Sequence, residues 1–200
     1  YLQEGVADAF LEKMTAQARD IRIGDPLLDE TQMGPLCTTG QLEKIEKEVA
    51  HAQREGGELL CGGKRPQGLE GNYYEPTIIA CPSQDLRIVD TELFGPVLSV
   101  LRFKDEDEVI ALANDTVHGL AAGIFTQNSA RALRISKAVR AGIVWVNTYR
   151  AVSPIAEFGG IKGSGYGRES GFQAMYDYTR PKTVWMNTSD EPMSNPFVMR

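Results

Sequence analysis

Few residues of this chain could do chemistry: three cysteines (Cys37, Cys61, Cys81), two histidines (His51, His118), and carboxylates such as Glu92, Glu157 and Glu169 set in glycine-bearing stretches. Metal binding needs Cys, His or carboxylate ligands at close spacing. His51 and His118 stand far apart with no such neighbour at ligand distance in the chain, so no metal site is expected. Three widely spaced cysteines are too few for a disulfide framework and read as reduced thiols. Cys61 and Cys81 lie in apolar, strand-like stretches, where a thiol is buried and inert. A cysteine nucleophile formed from Cys37 with His51 or His118 has no motif to tie those residues together.

The stretch EFGGIKGSGYGRESG, residues 157–171, holds six glycines beside the pair Arg168-Glu169. Phosphate-binding glycine motifs have fixed spacings, and neither fits. Counting a dinucleotide fingerprint from Gly163 and Gly165 ends on Arg168, and from Gly165 and Gly167 on Ser170; Lys162 precedes its glycine, where a phosphate loop needs the reverse. What remains is glycine's access to positive φ and to close approach of the backbone. That density around an Arg-Glu pair points to a shaped pocket wall rather than a plain surface loop.

These residues need elements to position them. Val6, Phe10, Met14, Ala18 and Ile21 recur at helical spacing from Glu4 onward, and Leu42, Ile45, Val49 and Ala52 mark a second helix that stops at Gly56-Gly57. ELLCGG and TIIAC, the latter bracketed by Pro76 and Pro82, read as short strands. VLSVLRF, GLAAGIF and GIVWVN are three further strands, separated by a helix capped by Asp105 with Glu108 at the capping-box position and a helix capped by Ser129 that carries Ala132, Ile135 and Val139. Two successive strand-helix-strand units predict an α/β fold with an open, mostly parallel sheet flanked by helices. Ligands in such sheets sit beyond the carboxyl ends of the strands, which is where the loop from Asn147 and the glycine-rich stretch begin. FQAMYDY is a helical turn, TVWMN alternates as a terminal strand, and the tail after it wraps a surface.

The 200 residues, 42% hydrophobic and 24% charged, suit one sizeable core. A net charge of −6 with no basic block argues against nucleic acid as a partner. No apolar run is long enough to span a membrane and no basic-then-apolar leader opens the chain, so a cytoplasmic location is expected. The chain opens on Tyr1 rather than methionine, as a processed protein or a piece of a longer one does.

Three stretches in register, ELFGPVLSV (92–100), GLAAGIFT with AGIVWVNTY (119–149) and FGGIKGSGYGRESG (158–171), resemble the carboxyl-terminal half of NAD(P)-dependent aldehyde dehydrogenases, and the resemblance runs from Tyr1 to about Asn187. It implies that Glu92 holds the vicinal hydroxyls of the nicotinamide ribose, a task suited to an ionised carboxylate with free acceptor sites, and that Phe94 packs near the nicotinamide ring. It implies that Phe158 lines the substrate tunnel, and that Tyr149 and Val152 lie on a substrate-facing loop that varies with specificity. Glu169 resembles a carboxylate that relays protons to a general base, which burial would suit by raising its pKa. The other reading of Glu169 is a helix-start carboxylate paired with Arg168 or a backbone amide.

In this family a cysteine attacks the aldehyde, gives up hydride from the thiohemiacetal to NAD or NADP, and leaves a thioester for water to cleave. That cysteine falls upstream of the segment matching YLQEGVADAF, with the general-base glutamate and most of the cofactor-binding lobe. The resemblance therefore implies residues 1–178 as a portion of the catalytic domain, inactive alone, and 179–200 as an oligomerisation strand and tail of a parent that is a homodimer or homotetramer acting on a small-molecule aldehyde. A non-catalytic assembly or binding module is the alternative. Glu157 departs from the proline of many relatives; it would favour a cationic substrate group, or is a solvated loop carboxylate.

Overall fold

The computed structural model describes residues 1–192, 195, 197 and 198. In chain order its elements are β1 (Leu2–Gln3), α1 (Glu4–Arg19), α2 (Thr39–Arg54), β2 (Glu58–Cys61), β3 (Thr77–Ala80), α3 (Arg87–Asp90), β4 (Val97–Val100), β5 (Arg102–Phe103), α4 (Glu106–Asn114), β6 (Ala121–Ile124), α5 (Ser129–Ala138) and β7 (Ile143–Val146). Two short 3-10 turns come after them, at Lys162–Ser164 and Gln173–Tyr178. Among the described residues, no helix is long and apolar enough to cross a membrane and no cluster of side chains could hold a metal ion.

Helix α2 is the element around which the larger core forms. Thr38, in extended conformation, caps it by accepting from the Gln41 amide, which satisfies one of the donors every helix start leaves free. Gly56, at φ 95°, ends it, and the Gly57 amide closes back on the Ala52 carbonyl at 2.8 Å. Leu42, Ile45, Val49 and Ala52 form the apolar stripe expected at this spacing, all fully buried against Tyr74, Ile79, Leu86, Ile88 and Leu93. Burial of a full aliphatic side chain contributes roughly 1.5–3 kcal/mol, so this stripe anchors everything packed on it.

The sheet expected as one body is three. β2, β3 and β4 form a three-stranded sheet, antiparallel between β2 and β3 and parallel between β3 and β4, while β1 pairs parallel with β5 and β6 parallel with β7. The α/β class and the predominance of parallel pairing agree with the sequence reading. Of the two strand-helix-strand units expected from sequence, β6-α5-β7 pairs its own two strands but β4-α4-β6 does not; β3 and β4, joined through α3, also pair in parallel. VLSVLRF, expected as one strand, divides at the buried Leu101 because it changes partner: β4 lies along β3, then β5 along β1, with the Leu2 amide donating to the Leu101 carbonyl at 2.8 Å.

Two helical details also differ. Helix α1 buries Ala7 and Leu11, with Met14 and Ala18 half-buried, against Cys61, Ile78 and Val100, whereas Val6 (57% exposed) and Phe10 (50%) lie outside the core. The helix is apolar on more than one side, and the stripe offset by one residue is the one that meets the β2-β3-β4 sheet. The cap of α5 is Asn128, whose side chain accepts from the Arg131 amide at 3.0 Å, so Ser129 is already inside the helix. Asp105 does cap α4 by accepting from the Glu108 amide, and the Glu108 carboxylate accepts from the Lys104 amide, one residue before the usual capping-box partner.

The terminal strand at Thr183–Asn187 is not formed in the single chain. Strand ladders need a partner, and none lies beside this segment among the described residues, which leaves Trp185 93% exposed between Val184 and Met186. Of the tail expected to wrap a surface, Met193, Ser194, Pro196, Met199 and Arg200 fall outside the described residues.

Asn128→Ala should cost about 1 kcal/mol of stability as the loss of a helix cap, and Ser129→Ala should leave the urea midpoint nearly unchanged; the reverse order would restore Ser129 as the cap. Burial raises the pKa of both the Cys61 and Cys81 thiols, while Cys37 is exposed. A thiol reagent at mildly alkaline pH should therefore modify Cys37 quickly and the other two only on unfolding.

Candidate functional site

The Glu92–Pro96 segment leaves α3 and lies along α2. Leu93 is 8% exposed and fixed in the core, so its neighbours on either side, Glu92 and Phe94, face outward. Phe94 is held at φ 51° with 74% of its surface exposed, unusual both for a bulky side chain in the left-handed region and for an aromatic. Gly95 lies close on the stripe of α2, where a Cβ would meet the Ile45 Cδ1 and force that side chain to move. The polar edge of α2 fixes the same backbone: Lys44 Nζ donates to the Glu92 carbonyl at 2.8 Å and Gln41 Nε2 donates to the Phe94 carbonyl. These bonds use main-chain acceptors only. Among the described residues the Glu92 carboxylate itself makes no hydrogen bond or ion pair, and its acceptor capacity is free.

The glycine-rich stretch folds on itself and on the amino ends of β6 and β7, not beyond their carboxyl ends as expected, because the chain doubles back after the Asn147 loop so that the Ile161 amide bonds the Gly119 carbonyl and Gly159 meets Gly142. Phe158 and Glu169 form an antiparallel bridge with two 2.7 Å amide-to-carbonyl bonds. A Cβ on Gly159 would overlap the Gly167 carbonyl oxygen, and one on Gly142, just before β7, would overlap the Gly159 carbonyl oxygen. Gly165 (φ 107°) and Gly171 (φ 65°) supply turns that other residues adopt poorly. The glycines thus serve both purposes expected of them, and the segments they admit are the chain's own backbone.

Arg168 is a strut inside this loop: its guanidinium donates to the carbonyls of Gly160 and Gly167, each at 2.8 Å, and does not pair with Glu169. Lys162, at φ 53°, sends its ammonium to the carbonyls of Asn114 (2.9 Å) and Thr116 (3.2 Å). A cation at the carboxyl end of α4 also complements the helix dipole. The loop forms one wall of an open groove of about 670 Å³, lined by Phe158, Arg168, Glu169, Asp177 and Tyr178. Phe158 is half-buried there and Glu169 exposed.

Tyr149 follows β7 and stands edge-on to Trp145, their centroids 5.1 Å apart, while the Trp145 indole donates to the Ala151 carbonyl at 2.7 Å. Asn147, at φ 53°, bonds both the amide and the carbonyl of Thr126 through its side-chain amide, tying the ends of β6 and β7 together. The loop beyond carries Val152 and Glu157 exposed.

The structure therefore groups the sequence candidates as Glu92 with Phe94, Phe158 with Glu169, and Tyr149 with Val152 on the loop between. Polar bonds connect the first two groups: the Asp90 carboxylate accepts from the Thr116 hydroxyl at 3.2 Å, and the Thr116 carbonyl accepts from Lys162. Cys37 is exposed, His51 pairs with Glu55, and His118 lies 3.4 Å from the Asp90 carbonyl, so no cysteine-histidine pair forms among the described residues. Sequence reading missed Gln41, Lys44, Asn147, Lys162 and Arg168. All five act on backbone carbonyls or amides, contacts that residue type alone does not announce; the one signal was the i, i+3 placement of Gln41 and Lys44 beside the apolar stripe of α2.

The model of the aldehyde dehydrogenase family matches residues 1–184. The chain belongs to that family. It is 48% identical, over its full length, to (Z)-2-((N-methylformamido)methylene)-5-hydroxybutyrolactone dehydrogenase of Acinetobacter baylyi, of which it covers 41%. It is 44% identical to betaine aldehyde dehydrogenase of Brucella anthropi over 96% of its own length and 40% of the relative's. Among solved structures, PnpE of Pseudomonas sp. WBC-3 superimposes with a TM-score of 0.92 at 42% identity, over 98% of this chain and 40% of that one. Betaine aldehyde dehydrogenase of Staphylococcus aureus, solved with NAD+, gives 0.90 at 34% identity over the same shares. This aldehyde dehydrogenase chain thus spans about two fifths of the length of the relatives it matches.

The contact between Gly142 and Gly159 is backbone against backbone and cannot yield by moving a side chain. Gly142→Ala in the aldehyde dehydrogenase chain should cost about 1–3 kcal/mol, the range for overpacking, and should loosen residues 158–171 to proteolysis. Unchanged stability together with an unchanged digestion pattern would show that the loop does not depend on this contact.

Proposed function

We propose that this chain is the carboxyl-terminal, catalytic-lobe portion of an enzyme that oxidises an aldehyde to a carboxylate with NAD or NADP. The observation that carries the proposal is the outward pair Glu92 and Phe94 on a backbone fixed by α2, in a chain of this family. When bound, the cofactor supplies the hydride acceptor. The donor set fits it: Glu92 presents free carboxylate lone pairs suited to vicinal ribose hydroxyls, and Phe94 presents an exposed ring suited to the face of a nicotinamide. Solved relatives with NAD bound support the dinucleotide class, without choosing between NAD and NADP for this chain.

In this proposal Phe158 bounds the aldehyde on the groove side, Tyr149 and Val152 shape the entry, and Glu169 holds or passes a proton at its carboxylate once the rest of the protein covers it. The nucleophilic cysteine, with its thiohemiacetal and thioester, belongs to the parent outside these 200 residues, and the chain alone has no turnover. Glu157 sets a negative charge on the substrate loop, its backbone pinned against Gly171, and so favours aldehydes that carry a cation. The exposed Val184-Trp185-Met186 run serves association of the parent into a homodimer or homotetramer.

The deciding test is Glu92→Gln in the full-length protein that carries this chain. Loss of charge-assisted hydrogen bonds to the ribose should remove about 2 kcal/mol, or roughly thirtyfold in cofactor kcat/KM. Unchanged cofactor kinetics would overturn the assignment of Glu92. If Glu157→Pro leaves relative rates on cationic and neutral aldehydes the same, the substrate-charge reading fails.

A further inference from the structure

We infer that the Glu48–Arg87 ion pair, in which a buried carboxylate takes a half-exposed guanidinium, is a positioning device for the Glu92–Phe94 segment, acting through α3; the inference rests on the cofactor-binding role proposed for that segment. Glu48 lies on α2 with only 2% of its surface exposed, and its Oε1 accepts from the Arg87 guanidinium at 2.6 Å. Its other oxygen, Oε2, is buried without a hydrogen-bond partner among the described residues. A half-satisfied buried carboxylate is a poor source of stability, because its desolvation offsets the attraction and an apolar residue of similar size would do as well. Directional constraint remains as its contribution.

The geometry says what is constrained. Gln41, Lys44 and Glu48 fall at i, i+3 and i+7, one face of α2, and each reaches the same segment of chain. Glu48 takes Arg87 at the start of α3, Lys44 takes the Glu92 carbonyl, and Gln41 takes the Phe94 carbonyl. Helix α3 is only four residues long and ends where the Thr91 amide bonds the Arg87 carbonyl at 3.0 Å, one residue before Glu92. Leu86, Ile88 and Leu93 hold this segment against the core, and α3 is also bonded away from α2, by the Thr116 hydroxyl on the Asp90 carboxylate at 3.2 Å and the Ser99 hydroxyl on the Ile88 carbonyl at 3.4 Å. The Glu48–Arg87 bond is the directional one that ties the start of α3 to α2, and so sets the rotation of α3 relative to that helix. It therefore sets where Glu92 and Phe94 emerge. Glu48 and Arg87 are positioning residues, with no contact to cofactor.

The test replaces both charges by apolar side chains, Glu48→Leu with Arg87→Met, in the full-length protein, so that no buried charge is left alone. The melting temperature should shift by no more than a few degrees, whereas hydrogen exchange of the peptide spanning residues 86–95 should quicken about tenfold and cofactor KM should rise several-fold with kcat little changed. Arg87→Lys, which keeps a cation opposite Glu48, should restore most of both. Unchanged exchange and unchanged KM in the double variant would overturn the inference and leave the pair as a contact at the edge of the core with no positioning role. Faster exchange with unchanged KM, alongside a Glu92→Gln variant that is also silent, would uphold the positioning role and sink instead the cofactor role of Glu92. If Arg87→Lys behaved like the double variant, the ion pair would not be the constraint.

Discussion

The packing of one helix stripe, Leu42, Ile45, Val49 and Ala52, carries the rest of this structure. Ile79 of β3 and the segment that ends in Leu93 both pack on it. The polar flank of the same helix then engages the carbonyls of Glu92 and Phe94. Because the buried stripe and the polar flank share one rigid rod, the outward aim of Glu92 and Phe94 is fixed relative to the core rather than relative to a loop. That is the arrangement a binding group needs: side chains free at their tips and backbones that cannot wander.

The glycine-rich loop is held by a different physical means. Residues 158–171 have few buried side chains; they are held by backbone laid directly on backbone, at Gly142 against Gly159 and at Gly159 against Gly167, and by two cations, Lys162 and Arg168, committed to carbonyl oxygens. A loop held in this way has little apolar burial of its own and takes its order from β6, β7 and the end of α4. The Asp90–Thr116–Lys162 bonds join it to the segment below α3, so the two segments share a polar connection through the turn after α4.

Sequence made the elements legible wherever one periodicity dominated. Leu42, Ile45, Val49 and Ala52 had a single apolar face, and the helix appeared with the burial expected of it. Helix α1 had two, and the choice between the Val6-Phe10 and Ala7-Leu11 faces belonged to the sheet it meets rather than to the helix. VLSVLRF read as one strand because apolar residues run through it, but strand limits are set by partners, and the partner changes at Leu101. Ser129 and Asn128 are both good caps in isolation; the chain entering α5 decides between them. The single open sheet was inferred from alternation of elements, which gives order along the chain and parallel sense but not adjacency, and adjacency is where the three separate sheets arise.

Thr183–Asn187 sharpens the same point. Its alternation is strand-like, yet in the single chain it is extended into solvent with Trp185 almost wholly exposed. A strand's hydrogen bonds are made with another strand, so alternation alone does not make this segment one. Aromatic and β-branched residues left this bare are costly to hydrate, so the exposure of Val184, Trp185 and Met186 is a property of the single chain. Phe10 on the outer side of α1 and Phe94 beside Glu92 are exposed in the same sense, on other parts of the surface. The chain spans two fifths of the length of its relatives, and its core is complete around α2. The interior packing around α2 closes within the chain, while Phe94 and Trp185 stay on its surface; burial follows from the contacts one chain can make, and alternation or residue type alone does not supply them.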